Sequence, residues 1–215
     1  MKAVVFDMDG LMFDSERIVQ YSWTKAGMLL ANRDLGKEIY HTLGYSKKKR
    51  REYFKELLGD HFDFETFQII ASIYYYDYLK KNGIPIKKGL LELLEYLKEN
   101  HYAIALATSS SYKNTIKHLK EVQIDHYFDV IVTGDQVKKA KPDPQIYMIA
   151  CQKLNVDPTL AYALEDSYHG IISAYQANMK AIFVPDLLED EKPIAQYIEA
   201  KCSSLLEVKD YLRGS

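Results

Sequence analysis

The sequence has little cysteine, no long apolar run and almost no net charge. Its two cysteines, Cys151 and Cys202, form neither a disulfide framework nor a closely spaced metal pair, which favours a reducing, cytoplasmic compartment. No apolar run approaches the length of a membrane span, and no charged-then-apolar leader precedes the first strand, so neither a membrane segment nor a signal peptide is expected. The formal net charge of −2 gives no reason to expect nucleic acid or an anionic membrane as a partner.

The opening of the chain combines a short apolar run with two acids. The run predicts a buried strand that ends at Asp7, and Gly10 then allows a turn where a side chain would be costly. Side chains alternate along a strand, so Asp7 and Asp9 leave it on roughly the same side. Two carboxylates this close repel each other unless a cation lies between them. Taken alone, the pattern is more often an ordinary turn at the end of a strand than a site.

The next section of the chain is predicted to be helical throughout. Its apolar residues recur at helical spacing, and turn residues end it at Asn82–Pro85. A block of this size is too long for an ordinary connection. We therefore expect an inserted helical cap domain, residues 15–82, in a core domain formed by residues 1–14 and 83–215. Helices are expected at Ser15–Ala31, after the basic run that begins at Lys47, and at Phe64–Lys81.

After this block the pattern alternates between helix and strand. Such alternation predicts an α/β fold with a doubly wound parallel sheet, a Rossmann-like core. The segment after the last strand, with a helix near Leu206–Leu212, is expected to be peripheral. Strands are expected at Tyr102–Thr108, Val130–Thr133, Ala161–Leu164 and Lys180–Val184. Helices are expected at Gly89–Asn100, Ser111–Val122, Pro142–Leu154 and Ser167–Asn178.

Polar residues lie at the carboxyl ends of the predicted strands. In doubly wound sheets, ligands bind in the crevice outside those ends. The inserted domain leaves from the same edge, so we expect it to cover the site as a lid, with hinges near 13–15 and 82–87. The residues placed at the strand ends are Asp7, Asp9, Thr108, Glu165 and Asp166.

Four motifs occur in one order along the chain, and together with the helical insertion they resemble a known family. They are Asp7-Met8-Asp9-Gly10, Thr108-Ser109, Lys141-Pro142-Asp143-Pro144, and Glu165-Asp166-Ser167 followed by Gly170. The resemblance is to the haloacid dehalogenase-like phosphohydrolases, in the capped group that contains β-phosphoglucomutase and phosphoglycolate phosphatase, and it spans essentially the whole chain. It implies a magnesium-dependent phosphatase that hydrolyses a small phosphorylated metabolite, a sugar phosphate or similar, through an aspartyl phosphate.

The resemblance also implies roles for the acidic residues. Asp7 would take the phosphoryl group as a nucleophile, and Asp9 would protonate the leaving alkoxide and then deprotonate water. Mg²⁺ would be held by Asp7, Asp166 and the backbone carbonyl of Asp9, with Glu165 supporting the metal shell. On its own, the Glu165-Asp166 pair is more often a solvated turn.

Further residues are implied to bind the phosphoryl oxygens. Thr108, the amide of Ser109 and Lys141 would contact the charge that these oxygens gain during transfer. In isolation, Thr108 and Ser109 would be a helix cap and Lys141 a surface lysine. In the cap, Gly44 and Lys47 are candidate substrate-binding residues, although a basic run such as that beginning at Lys47 is more often a solvated helix start.

Three rival functions are weighed against the phosphatase. A β-phosphoglucomutase carries a cap histidine, lysine and arginine where ungapped matching places Val19, Tyr76 and Lys47, so a mutase is disfavoured. A true dehalogenase has no use for Asp9 or a metal shell. A phospho-acceptor signalling receiver uses similar acids but lacks the helical insertion. The sequence does not indicate an oligomeric state.

Overall fold

The chain divides into two compact units, and each is described by itself. One unit comprises residues 1–14 and 86–215, and the other is the insertion, residues 15–85. The second boundary therefore lies at Pro85, beyond the expected position of Asn82, which is the last residue of a helix. The computed structural model describes residues 2–42, 45, 47–188 and 190–214.

The elements of both units follow the predicted order of helices and strands. The strands are β1 Ala3–Phe6, β2 Ala103–Thr108, β3 Val130–Thr133, β4 Ala161–Glu165, β5 Lys180–Phe183 and β6 Ala200–Lys201. The α-helices are α1 Ser15–Ala31, α2 Ile39–Thr42, α3 Lys47–Leu58, α4 Phe64–Asn82, α5 Leu90–Glu99, α6 Tyr112–Glu121, α7 Gln145–Leu154, α8 Tyr168–Gln176 and α9 Leu205–Arg213. Short 3₁₀ helices lie at Gly36–Glu38, Asp125–Tyr127, Gly134–Gln136, Pro158–Leu160 and Lys192–Tyr197.

One parallel sheet organises the α/β unit. Its strand order is β3-β2-β1-β4-β5-β6, so β1 lies between β2 and β4, with Val5 opposite Ala105 and Ala163. Strands β1, β2 and β4 are buried throughout, as expected for parallel strands covered on both faces. The predicted doubly wound parallel sheet is confirmed, and the carboxyl ends of these three strands meet at one edge.

One core cluster explains how the helices after β3 and β4 are held. Alternate residues of the central strands, such as Val5 and Ala163, belong to the same buried cluster as Ile146 and Tyr147 of α7 and Ile171 of α8. Burial of apolar area of this kind stabilises the fold by roughly 25 cal/mol per Å². The cluster therefore fixes α7 and α8, and the loops before them, against the strands that end at the site.

Two local predictions differ from the structure. Helix α7 begins at Gln145, not at Pro142, because Asp143 precedes Pro144 and a residue before proline disfavours the helical region. The last segment is not peripheral, since β6 pairs with β5 and the apolar side of α9 is buried. Strand β6 has only two residues, too few for a periodic pattern to reveal it.

The two connections to the insertion run side by side within the α/β unit. Phe13 forms an antiparallel bridge with Ile86, and the Lys87 amide donates to the Met12 carbonyl at 2.8 Å. The Lys87 ammonium pairs with Asp186 at 2.6 Å. The entry and exit of the inserted unit are thus held together by backbone pairing.

The inserted unit is helical in its described residues, as predicted, and its core is aromatic. Phe54 of α3 is fully buried, and its ring centroid lies 5.4 Å from that of Trp23 and 5.1 Å from that of Phe67. Phe64 also lies within contact distance of Phe54. Edge-to-face and tilted ring pairs at such distances add stability beyond area burial. In the part of the chain that the structure describes, no helix has the length and apolar character needed to cross a bilayer.

Replacing Phe54 by alanine tests this aromatic core. The Phe54→Ala change should lower the free energy of unfolding of the inserted unit by about 3–5 kcal/mol, because it removes a fully buried ring and leaves a cavity. Urea unfolding followed by the emission of Trp23, the only tryptophan of the chain, measures the effect. Ile73→Ala, at a position 61% exposed, is the control. Equal midpoints for the two variants would contradict the assignment.

Candidate active site

Asp7 and Asp9 follow β1 at the centre of the sheet edge. The Asp7 amide donates to the Leu164 carbonyl at 3.0 Å, which continues the pairing of β1 with β4 past the end of the strand. The Asp7 side chain is buried, whereas Asp9 is half-buried. The Ser110 hydroxyl donates to Asp9 Oδ2 at 2.7 Å. The two carboxylates are therefore close in sequence but have different partners.

Gly10 allows the carboxylate of Asp166 to approach the loop after β1. Its φ of +85° is a left-handed value that favours glycine. A Cβ atom at this position would lie 2.1 Å from Asp166 Oδ2, so any larger residue would displace that carboxylate. The predicted grouping of Asp7 and Asp166 thus depends on the absence of a side chain at Gly10.

Lys141 links the nucleophile candidate to the end of β4. Its ammonium donates to Asp7 Oδ1 at 2.6 Å, to Glu165 Oε1 at 2.6 Å and to the Ala107 carbonyl at 2.9 Å. The Lys141 side chain is 7% exposed and that of Glu165 is fully buried. Lys141 is therefore an internal ion-pair residue and not a surface lysine.

The buried carboxylate of Glu165 is held by several donors. The Tyr147 hydroxyl donates to Oε1 at 2.6 Å, and the Ser167 hydroxyl donates to Oε2 at 3.0 Å. Gly170 leaves room for it, since a Cβ there would lie 1.9 Å from the carboxyl carbon. Each oxygen of Glu165 thus has a protein donor, which suits a residue that anchors Lys141.

The titration behaviour of the cluster follows from burial and charge. Burial raises the pKa of Asp7 to about 7, Lys141 opposes that rise, and the Glu165 carboxylate adds to it. Burial alone would lower the pKa of Lys141, but Asp7 and Glu165 raise it overall, so the ammonium stays charged. Burial and the charge of Glu165 raise the pKa of Tyr147, which keeps its hydroxyl a donor.

Three of these acids could hold a metal ion. Asp7, Glu165 and Asp166 each offer an oxygen atom, and these atoms lie within 4.8 Å of one another. Carboxylate oxygens are the ligands that Mg²⁺ prefers. Three carboxylates close to one ammonium leave an excess of negative charge, which a divalent cation would compensate. The donor set therefore fits the cation that the sequence predicts.

The loop after β2 carries the other predicted phosphoryl-binding residues. Thr108 is buried, and its hydroxyl accepts from the Ser110 amide at 3.0 Å, while Ser109 is exposed. A cavity of about 230 Å³ in the α/β unit is lined in part by Ser109, Lys138 and Lys141. The structure thus brings Ser109 and Lys141 to one cavity wall.

Most of the chain matches a known protein family. The family model for haloacid dehalogenase-like hydrolases matches residues 4–184. The chain belongs to this family. The resemblance seen in the four sequence motifs is therefore confirmed, and with it the expectation of a hydrolase.

Similar proteins in this hydrolase family include named phosphatases. A phosphorylated carbohydrates phosphatase from Thermotoga maritima is 30% identical over 220 residues, covering 99% of this chain and 97% of the relative. Hexitol phosphatase B from Escherichia coli K12 is 28% identical, covering 98% and 96%. The solved structure of β-phosphoglucomutase from Clostridium difficile has a TM-score of 0.77 at 25% identity, covering 100% of this chain and 96% of that one. Family and relatives together support the assignment as a phosphoric monoester hydrolase.

The inserted unit of this hydrolase contains the candidate substrate-binding residues Gly44 and Lys47 and the two positions, Val19 and Tyr76, that were matched to a mutase. Lys47 is exposed, and its ammonium pairs with Glu65 at 2.8 Å. Val19 and Tyr76 line a second cavity that lies within the inserted unit. Gly44 lies outside the described residues.

Sequence reasoning missed two polar residues of the site. Ser110, which holds Asp9, directly follows the Thr108-Ser109 motif, so its position was a usable signal. Tyr147 lies on the buried side of α7, where its spacing indicates only a core aromatic residue. Its hydroxyl finds Glu165 through packing of α7 on the sheet, which no local pattern encodes.

Replacing Tyr147 by phenylalanine tests the anchoring of Glu165. The change removes one donor to a fully buried carboxylate and should lower the free energy of unfolding by about 1–3 kcal/mol. Urea unfolding followed by far-ultraviolet circular dichroism measures this loss. The control is Tyr112→Phe, at a position 50% exposed, which should leave stability nearly unchanged. A Tyr147→Phe variant as stable as the parent would show that the hydroxyl contributes nothing to the cluster.

Proposed function

We propose that this hydrolase is a magnesium-dependent phosphatase that hydrolyses a small phosphorylated carbohydrate or similar metabolite through an aspartyl phosphate. The observation that carries the proposal is the pair of carboxylates after β1. Asp7 is buried and bound by Lys141, whereas Asp9 is bound by the neutral Ser110 hydroxyl. Two carboxylates with different surroundings suit two different chemical roles. The named carbohydrate phosphatases among the relatives support this class of substrate.

Asp7 is the nucleophile in this proposal. An oxygen of its carboxylate attacks the phosphorus atom, the bond from phosphorus to the ester oxygen breaks, and Asp7 becomes an acyl phosphate. Lys141, bound to Asp7 Oδ1, holds the carboxylate in one orientation and offers positive charge to the phosphoryl group. Thr108 and the amide of Ser109 supply further donors for the phosphoryl oxygens.

Asp9 is the general acid and then the general base in this proposal. As an acid it protonates the leaving alkoxide, which departs as an alcohol. As the resulting carboxylate it removes a proton from water, which attacks the acyl phosphate and restores Asp7 with release of inorganic phosphate. The Ser110 hydroxyl, which donates to Asp9 Oδ2 at 2.7 Å, orients the carboxyl group for both transfers.

The acidic cluster is the proposed magnesium site. Asp7, Asp166 and the backbone carbonyl of Asp9 would bind the ion, and Glu165 would support the site while it anchors Lys141. Bound magnesium would supply positive charge against the phosphoryl oxygens and so reduce their repulsion with Asp7.

Water, rather than a second sugar hydroxyl, is the proposed acceptor. A phosphomutase must hold its phosphorylated enzyme for a second substrate, which requires proton-handling and cationic groups in the cap. Val19 offers no titratable group and Tyr76 no charge, and Lys47 is exposed and paired with Glu65. These residues favour hydrolysis.

The free, buried state of Cys151 and Cys202 supports a cytoplasmic location for the reaction.

Substitution of Asp7 tests the nucleophile. Asp7→Asn should lower turnover of p-nitrophenyl phosphate by at least about 10³-fold while the protein stays folded, because an amide does not accept the phosphoryl group. Released p-nitrophenol and circular dichroism measure the two properties. Asp210→Asn applies the same change at an exposed position of α9 and should retain parental turnover. Retention of a tenth of the parental rate by Asp7→Asn would exclude this nucleophile.

Removal of the metal tests whether turnover requires magnesium. Excess chelator should abolish turnover and added magnesium restore it, while calcium should restore little because its looser coordination suits in-line transfer poorly. Calorimetric titration should show weaker magnesium binding by Asp166→Ala than by the parent, and Asp210→Ala should bind magnesium like the parent. Full turnover in chelator, or parental affinity in Asp166→Ala, would refute the metal site.

A further inference from the structure

The loop between β3 and α7 carries two further lysines shortly before Lys141. Its backbone is held by the first residue of α7, because the Gln145 side-chain oxygen accepts from the amides of Lys138 at 2.8 Å and Lys139 at 3.0 Å. Helix α7 is itself packed into the core of the α/β unit. The points at which the lysine side chains leave the loop are therefore fixed relative to the sheet.

Lys141 has no N–H donor left over for a substrate. An ammonium group has three donors, and Lys141 donates to Asp7, Glu165 and the Ala107 carbonyl. A hydrogen bond from Lys141 to a phosphoryl oxygen would therefore require the loss of one of these contacts. Phosphoryl oxygens nevertheless gain charge during transfer, and donors that contact them directly stabilise that charge. Another cationic group is needed to supply such a donor.

Lys138 and Lys139 are neighbours in the chain but have different surroundings. The Lys139 ammonium pairs with Asp143 at 3.3 Å, and its side chain is 72% exposed. Among the described residues, no ion pair involves Lys138. Lys138 instead lines the cavity of about 230 Å³ that Ser109 and Lys141 also line. Lys138 is therefore the lysine of this loop whose charge is uncommitted at the cavity.

The walls of this cavity suit a small anion. Gly134 lets the loop after β3 approach the loop after β2, since a Cβ there would lie 2.3 Å from the Ser109 carbonyl oxygen, and its amide donates to the Ser110 carbonyl at 2.9 Å. Two of the described lining residues are lysines and none is acidic. The volume is below the roughly 300 Å³ at which complete ligand pockets begin, so the cavity fits a phosphoryl group better than a whole metabolite.

We propose that Lys138 is a further phosphoryl-binding residue of this hydrolase, and that its ammonium contacts the phosphoryl oxygens at the cavity shared with Ser109 and Lys141. The inference rests on the proposed function, because it takes the anion to be the group that Asp7 accepts. Lys141 then orients the nucleophile, while Lys138, on a flexible four-carbon stem, supplies a direct charged donor. The same contact would bind inorganic phosphate, the product of hydrolysis.

Binding of inorganic phosphate tests this contact without turnover. Calorimetric titration is made with magnesium present and at about 150 mM salt, where charges that are exposed and distant are screened. Lys138→Gln should weaken phosphate binding at least about tenfold, as expected for a lost hydrogen bond between charged groups. Lys138→Arg keeps the charge and should retain most of the affinity.

Lys139→Gln is the matched control for this titration. It removes the same charge from the next position of the loop, where the side chain pairs with Asp143, and should leave phosphate affinity at the parental value. Absence of phosphate binding by the parent, or equal affinities for Lys138→Gln and Lys139→Gln, would overturn the assignment. Circular dichroism establishes that the variants are folded.

Turnover of p-nitrophenyl phosphate gives the second measurement. Lys138→Gln should raise KM at least about tenfold with kcat little changed, because the contact already forms in the bound substrate, and Lys138→Arg should restore KM. A residue that only supported the fold would not give this division between KM and kcat. If the parent hydrolyses no phosphate ester, the proposed function fails, and phosphate binding alone decides the role of Lys138. An active parent and a Lys138→Gln variant with equal KM would refute that role.

Discussion

The buried ammonium of Lys141 is the interaction on which the site depends. It joins Asp7, after β1, to Glu165, at the end of β4, and also binds a carbonyl of β2. Removing these charges from water is costly, and the cost is offset only where every donor and acceptor is matched. Tyr147 and Ser167 provide that matching for Glu165. Loss of one partner would leave a buried charge uncompensated, so the strand ends and the charge network stabilise each other.

The close approach of two carboxylates to glycine backbone is the second constraint on the site. Gly10 and Gly170 leave space that the carboxylates of Asp166 and Glu165 occupy, and any side chain there would collide with them. The acids are thus placed at strand ends and confined by the backbone of the loop after β1 and of α8. Groups held in this way need little reorganisation when charge develops during phosphoryl transfer.

The interactions that stabilise the inserted unit differ from those of the α/β unit. It contains an aromatic cluster around Phe54 and Trp23, and on its surface Lys47 and Arg51 both pair with Glu65. Trp23 belongs both to that cluster and to the wall of the cavity within the inserted unit. The proposed catalytic acids, by contrast, all lie in the α/β unit.

The sequence by itself determined the parallel sheet, the helical insertion and the motifs at the strand ends, because periodicity and turn residues are local properties. It also indicated Asp7, Asp9, Glu165 and Asp166, since residues that end adjacent parallel strands meet at one edge. Tertiary structure alone decided that Tyr147 binds Glu165 and that two basic residues of α3 pair with Glu65. Those contacts join residues distant in the chain and depend on which helix faces pack together, which local spacing does not encode.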